Sequence, residues 1–386
     1  MVFFGEIWYH RKKIPPYKEA YMTAIRKAPE TMNSKKRVLK TFAFEKTDRV
    51  PIDYCSNPTI HMAFCRELGI PDGNYAALLE MLGVDYRSAW PRYTGPKLFP
   101  DIEGCSVNPE YGFYTRWIPN KNGGYDDFCE FPLRDADPET IFAFPVLDPD
   151  HYDYETAAAY LKSQSEYAVY VGNPGVGDII NSIGRVMGME DTLVNLALED
   201  EATLDLVERK ISLELNIMER LLAKAGDAVD FVWIGEDLGT QIAPMVSPEL
   251  YRKLLRPQHR KFVDLAKSYH MPVMIHTCGS SSWAFEDFIE MGINAVDTLQ
   301  PEAVNMAPRY LKEHFGGRLS FHGCISTAGA LAYGTEEDVE RTVRETLEIM
   351  MPGGGYHFAP THMIQDNTPV ENIVAMYQCA HRYGQY

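Results

Sequence analysis

No apolar run in the 386-residue sequence reaches the roughly eighteen residues that a membrane-spanning helix needs. Positive charge is scarce: 37 Lys and Arg stand against 54 Asp and Glu, a formal charge of −17. Such a chain repels phosphate backbones and anionic lipid, so neither nucleic acid nor a membrane surface is an expected partner. The cysteines number seven, an odd count, and lack framework spacing; most are expected to be inert core residues. The order of a secretory leader is missing too. Arg11, Lys12 and Lys13 follow the apolar Phe3, Phe4, Ile7, Trp8 and Tyr9 instead of preceding them, which makes the cytoplasm the expected compartment. Neither a repeat of solenoid period nor a low-complexity tract occurs.

What is present suits a large packed core, with 45% hydrophobic and 12% aromatic residues. Short β-branched or aromatic runs at 167–172, 230–237, 272–278, 295–299, 319–325 and 356–360 alternate with amphipathic stretches, the pattern of βα units on a parallel sheet. Runs at 50–54 and 84–89 bring the total to eight. Eight closes an α/β fold of the (β/α)8 TIM-barrel type. Residues 1–49 then form a helical N-terminal arm and 50–386 the barrel. Between the second and third strands, residues 93–166 are Pro-, Gly- and Tyr-rich and too long for an ordinary βα connection. They read as an inserted subdomain, a small antiparallel ribbon over the active-site mouth. Thr335 with Glu336, Glu337 and Asp338 opens a helix that Gly353-Gly354-Gly355 stops; Ser247-Pro248 opens another, in which Pro257 is expected to cause a bend.

The sharpest chemical signal is Val273-Met274-Ile275-His276-Thr277-Cys278-Gly279. Strand alternation would put His276 and Cys278 on one face, where imidazole and thiolate can share a soft-to-borderline cation such as Zn²⁺. Further donors end other strand candidates: Glu236-Asp237, His322-Gly323-Cys324 and Thr361-His362. Catalytic zinc needs three protein ligands and an open position, so His276 and Cys278 require one of Cys324 or His362. Taken singly, each residue has a plain structural reading as core filling, helix cap or solvated strand end. Asn173 opens the loop Asn173-Pro174-Gly175-Val176-Gly177-Asp178, which matches no nucleotide fingerprint. Trp90 and Tyr93 are candidate aromatic walls for a planar ligand, with Asn173, Gln300 and His322 as further substrate contacts.

Asp237-Leu238-Gly239-Thr240-Gln241, Ser247-Pro248-Glu249, His276-Thr277-Cys278-Gly279, and Ala359-Pro360 with Thr368-Pro369-Val370-Glu371-Asn372 together resemble the uroporphyrinogen decarboxylase superfamily, most closely its corrinoid-dependent methyltransferase branch. The resemblance runs from Arg37-Val38-Leu39 and Asp48-Arg49-Val50-Pro51 to about residue 383. It implies a (β/α)8 barrel in which the His-x-Cys and a late Cys after Ala-Pro bind zinc, for methyl transfer with a corrinoid carrier protein. Here the late position holds His362, an acceptable zinc ligand, which weakens the case for a thiol substrate such as coenzyme M. Cys324 is a possible substitute. The decarboxylase itself is the weaker match, since no Arg-rich N-terminal motif suits a polycarboxylate; the region offers only Arg26-Lys27-Ala28-Pro29.

The expected protein is thus a zinc methyltransferase acting between a corrinoid protein and a small thiol or methoxylated compound. Its metal is held by His276, Cys278 and either His362 or Cys324. Glu236 serves as a displaceable fourth ligand, and Asp237 and Gln241 orient the substrate. No corrinoid-binding Asp-x-His-x-x-Gly segment occurs, so the corrinoid is expected on a partner chain; a homodimer is left open. The alternatives are a decarboxylase-like lyase and a metal-free ligand-binding barrel.

Overall fold

The computed structural model describes residues 25–70, 74–120 and 123–386. Residues 1–24 of the expected N-terminal arm, including the apolar stretch 3–9, lie outside them. The first barrel strand to form a regular ladder is β1 (Tyr86–Ser88). The insertion follows, carrying β2 (Arg92–Tyr93), β3 (Ser106–Val107), β4 (Tyr114–Asn120), β5 (Gly123–Cys129) and β6 (Tyr152–Asp153). Within it β3, β4 and β5 form an antiparallel ribbon and β2 pairs with β6.

The chain then returns to the barrel as β7 (Ala168–Gly172), β8 (Phe231–Gly235), β9 (Val273–His276), β10 (Ala295–Asp297), β11 (Ser320–Ile325) and β12 (Tyr356–Pro360). These six and β1 make a parallel seven-stranded sheet in the order β1-β7-β8-β9-β10-β11-β12. Every residue of all seven is buried, as a parallel sheet covered by helices on one face and closed on itself on the other requires. The eighth expected strand, 50–54, forms no regular ladder but fills the gap. Phe358 N donates to Pro51 O (2.7 Å) and Asp53 N to Phe358 O (2.9 Å), while on the other side Asp85 N donates to Ile52 O (2.9 Å). The Asp85 carboxylate takes the Ile52 N–H at 2.7 Å, so a side chain replaces one rung of the ladder.

Asp85 also explains the helix Ser34–Phe42 beneath the barrel. Arg37 and Arg49 each donate to its carboxylate at 2.6 Å, and Arg37 Nε reaches Asp48 at 2.7 Å. Phe42 stacks into the barrel floor, its ring 5.2 Å from Phe231 and 5.0 Å from His357. The helix Glu336–Met350 has the expected capping box between Thr335 and Asp338. At the other proline-bearing helix the bend takes the form of a π-turn, Tyr251–Leu255, ahead of Arg256–Ser268; the wider turn accommodates the N–H that Pro257 lacks. Among the described residues no helix is long and apolar enough to cross a membrane.

Candidate active site at the barrel mouth

Side chains alternate along β8, so Trp233 faces inward, its ring 5.2 Å from that of His322, and Asp237 continues the inward series just past the strand. Glu236 must then point outward. It is fully buried and accepts Ile179 N and Ile180 N, each at 3.0 Å, closing the N-terminus of the helix Ile179–Met187; His259 Nε2 lies 3.3 Å away. Burial pushes its carboxyl up to about 8. Its expected role as a displaceable metal ligand is therefore corrected: Glu236 is a helix cap behind the sheet.

The inward Asp237 meets the end of β9. His276 is the last residue of that strand, so Cys278 lies in the turn beyond it, and strand alternation is not what aims the sulfur. Two bonds hold the turn: Asp237 Oδ1 accepts Cys278 N at 2.9 Å and Gln300 Oε1 accepts Gly279 N at 2.8 Å. Gly279 takes a left-handed φ of 69°, and a Cβ there would meet Gly239 O at 2.1 Å, so only glycine fits. Cys278 Sγ thereby faces His276 Nε2 at 3.4 Å, and Asp237 Oδ1 lies 3.6 Å from the same nitrogen. One donor atom from each of Asp237, His276 and Cys278 falls within 4.8 Å of the others.

His276 Nδ1 is engaged from behind. It donates to Asp297 Oδ2 at 2.6 Å, and the Thr298 hydroxyl lies 2.7 Å from that nitrogen while donating to the same carboxylate oxygen at 3.0 Å. The other Asp297 oxygen accepts His322 Nδ1 at 2.6 Å, and His322 Nε2 reaches Asp53 Oδ2 at 3.2 Å. Burial alone would depress His322, but the Asp297 and Asp53 carboxylates raise it to about 9. Likewise, burial opposes charge on His276, and the Cys278 sulfur and Asp297 more than reverse it. Asp297 itself is held well below the usual carboxylate range, despite its burial, by the two imidazoles. Thr298 sits at φ 64°, a left-handed conformation that is costly for a β-branched residue, beside the carboxylate that orients both rings.

Several expected substrate contacts have other partners. His322 has both nitrogens committed to carboxylates. Asn173 Oδ1 accepts Gly175 N at 2.8 Å, a turn within its own loop. Gln300 supports the Cys278 turn, and the Tyr93 hydroxyl donates to Pro96 O at 2.8 Å inside the insertion. Gln241 is exposed, and its carbonyl accepts Val304 N at 3.0 Å. Trp90 is buried just beyond β1 with its indole N–H meeting no protein acceptor.

The two late metal candidates separate. The His362 ring lies edge-on to that of His276 at 6.4 Å between centroids, half-buried and lowered by burial and by the His276 charge. Cys324 would share the inner face of β11 with His322 if the strand stayed extended. Instead Gly323 turns to φ 115° and Cys324 to 67°, and Cys324 is 1% exposed. Burial alone raises its thiol. Cys324 is core, and the expectation that it might complete a metal site is corrected.

Sequence reasoning missed Asp53, Asp85 and Asp297. Each is a single aspartate at the edge of an apolar run, a pattern that solvated strand ends share. An open groove of about 590 Å³ at the opposite end of the barrel, lined by Phe44, Leu347, Gly353 and Tyr386, includes none of the donors above, so the converging side chains and not this groove locate the site.

A profile of the family described as uroporphyrinogen decarboxylase (URO-D) matches residues 185–383, just over half of the chain. Methylcobamide:CoM methyltransferase MtbA of Methanosarcina mazei is 25% identical over 143 residues, covering 36% of this chain and 38% of that protein. The protein of the same name from Methanosarcina acetivorans is 24% identical over the same shares. The matched stretch is thus well under half of either relative. A solved methyltransferase structure from Methanosarcina mazei superposes with a TM-score of 0.63 at 16% identity, covering 92% of this chain and 99% of that one, and so shares its fold.

Proposed function

This chain belongs to the uroporphyrinogen decarboxylase family, and on that premise we propose that it is a zinc-dependent methyltransferase moving a methyl group between a corrinoid on a partner protein and a small thiol or methoxylated molecule. The observation that carries this reading is the facing of His276 Nε2, Cys278 Sγ and Asp237 Oδ1, with His276 Nδ1 anchored on Asp297. That donor set fits zinc: one imidazole, one sulfur and one carboxylate close enough to surround a single ion at bond lengths of about 2.0–2.3 Å, and a carboxylate behind the histidine that fixes its ring. His362 stands beside them as a further donor. The two curated relatives, named for methylcobamide chemistry, support the same class of reaction.

Bound there, zinc would act as a Lewis acid, keeping a thiol or hydroxyl deprotonated near neutral pH or polarising a methoxy oxygen. The chain's own residues do the rest. Asp297 and Thr298 hold the His276 ring in one orientation. Asp237, half-buried at the rim, is placed to receive the proton of an entering thiol or hydroxyl. Below, the packed rings of Tyr170 and Trp233, 5.1 Å apart, fill the barrel interior and keep water from the floor of the site. The decarboxylase reading loses ground for a structural reason. Arg37 and Arg49, the buried arginines of the N-terminal region, are spent on Asp48 and Asp85 at the far end of the barrel.

The test is optical. Anaerobic zinc-loaded protein is mixed with methylcobalamin and candidate thiols, or with cob(I)alamin and methoxylated compounds, and the corrinoid spectrum is followed. Interconversion that requires Cys278 supports the proposal; no interconversion with either corrinoid form overturns it.

A further inference from the structure

The insertion holds two half-buried sulfurs that the barrel chemistry does not use. Cys105 immediately precedes β3 and Cys129 ends β5, on opposite flanks of the central strand β4. Their Sγ atoms lie 3.1 Å apart. That is inside the roughly 3.5–4.0 Å contact distance of unbonded carbon atoms, which are smaller than sulfur, and approaches the bonded distance of about 2.05 Å. The expectation that most of the seven cysteines are inert core is thus corrected: only Cys65, Cys324 and Cys379 are buried. We propose that Cys105 and Cys129 are a reversible dithiol–disulfide pair, oxidised by low-molecular-weight disulfides, that staples the ribbon above the barrel mouth.

The surroundings assign the two sulfurs different parts. The exposed Arg116 guanidinium reaches Cys105 Sγ at 3.5 Å, so a cation stands beside the sulfur that attacks first. Burial and the neighbouring sulfur push the Cys129 thiol up to about 11, which suits it to the second, resolving step. The exchange balances without any other reactant. Cys105 thiolate attacks one sulfur of R–S–S–R, forming a mixed disulfide and releasing one RS⁻. Cys129 then loses its proton and attacks the Cys105 sulfur, expelling the second RS⁻; two protein thiols are oxidised and one disulfide is reduced to two thiols.

The bond would close the 24-residue separation between the two cysteines, fixing β3 to β5 across β4. The ribbon also touches the mouth. Asn120, at the end of β4, donates to Asp366 at 3.2 Å, in the same loop as His362. A staple at the base of the ribbon therefore restrains a segment resting on the rim of the site.

The experiment uses the full-length protein with oxidised glutathione, followed by acid quenching, alkylation and peptide mapping. The pair predicts a direct Cys105–Cys129 link that dithiothreitol returns to two alkylatable thiols. In Cys129→Ser the mixed disulfide should persist on Cys105. Finding Cys105 and Cys129 in wild type as free thiols, or as separate glutathione adducts, at equilibrium overturns the proposal. The mapping is independent of zinc and of methyl transfer, so it stands or fails apart from the reading of the barrel mouth.

Discussion

Asp297 and His276 are joined by a 2.6 Å hydrogen bond from the imidazole Nδ1 to Oδ2, and that bond decides which nitrogen faces Cys278. Because Nδ1 is committed, Nε2 alone is free for a cation. Asp297→Ala should therefore weaken zinc binding about 10–100-fold, the usual effect of removing the partner behind a ligating histidine. Competition against a chromophoric chelator measures it; unchanged affinity would show that the ring is oriented by something else.

The third donor is separable by substitution. Asp237→Asn and His362→Ala should each lower zinc affinity, because both residues adjoin His276. Cys324→Ala should leave zinc binding intact and cost about 1–2 kcal/mol of stability, as for any small cavity in a core. Loss of zinc in Cys324→Ala would mean that the turn at Gly323 and Cys324 is misplaced.

Much of this was legible in the sequence, and the exceptions share a cause. The apolar runs marked all seven ladder strands, since a parallel sheet buried on both faces reads as continuous hydrophobics. The His-x-Cys was visible for the same local reason. Glu236 and Asp237 looked alike, and only the inward or outward phase of β8 separates a helix cap from a site carboxylate. Cys324 could be offered as a metal donor because a positive φ at a non-glycine residue leaves no mark in the sequence. Asp297 acts across strands, on His276 of β9 and His322 of β11, and such pairings exist only in the folded barrel.

Asp85 is the tie between the bottom helix and the barrel. Its carboxylate faces two fully buried arginines and a main-chain N–H. Removing it leaves Arg37 and Arg49 without their shared partner, and Asp85→Ala should cost about 3–5 kcal/mol in urea unfolding. A loss below about 1 kcal/mol would indicate that water solvates the two guanidinium groups in the variant.

His381 supplies a pH dependence whose sign is fixed by its bonds. Ala28 N donates to Nδ1 at 3.2 Å and Nε2–H donates to Leu82 O at 2.9 Å, so the fold needs the neutral ring. Burial lowers it from 6.5 to about 4. Between those values the unfolded chain binds more protons than the folded one, so stability from this group is present above pH 6.5 and lost as pH falls toward 4. The slope approaches about 1.4 kcal/mol per pH unit at most. The stability difference between wild type and His381→Gln should widen as pH rises through that window; a difference independent of pH would mean that protonation of His381 is not coupled to folding.

The central claim, that His276 and Cys278 hold a zinc ion used in methyl transfer, is met most directly by metal analysis of anaerobically purified protein alongside a methylcobalamin exchange assay on the same samples. Near-stoichiometric zinc is expected in wild type, with loss of both zinc and methyl exchange in Cys278→Ser. Wild-type protein that is free of zinc yet exchanges methyl at full rate would contradict it.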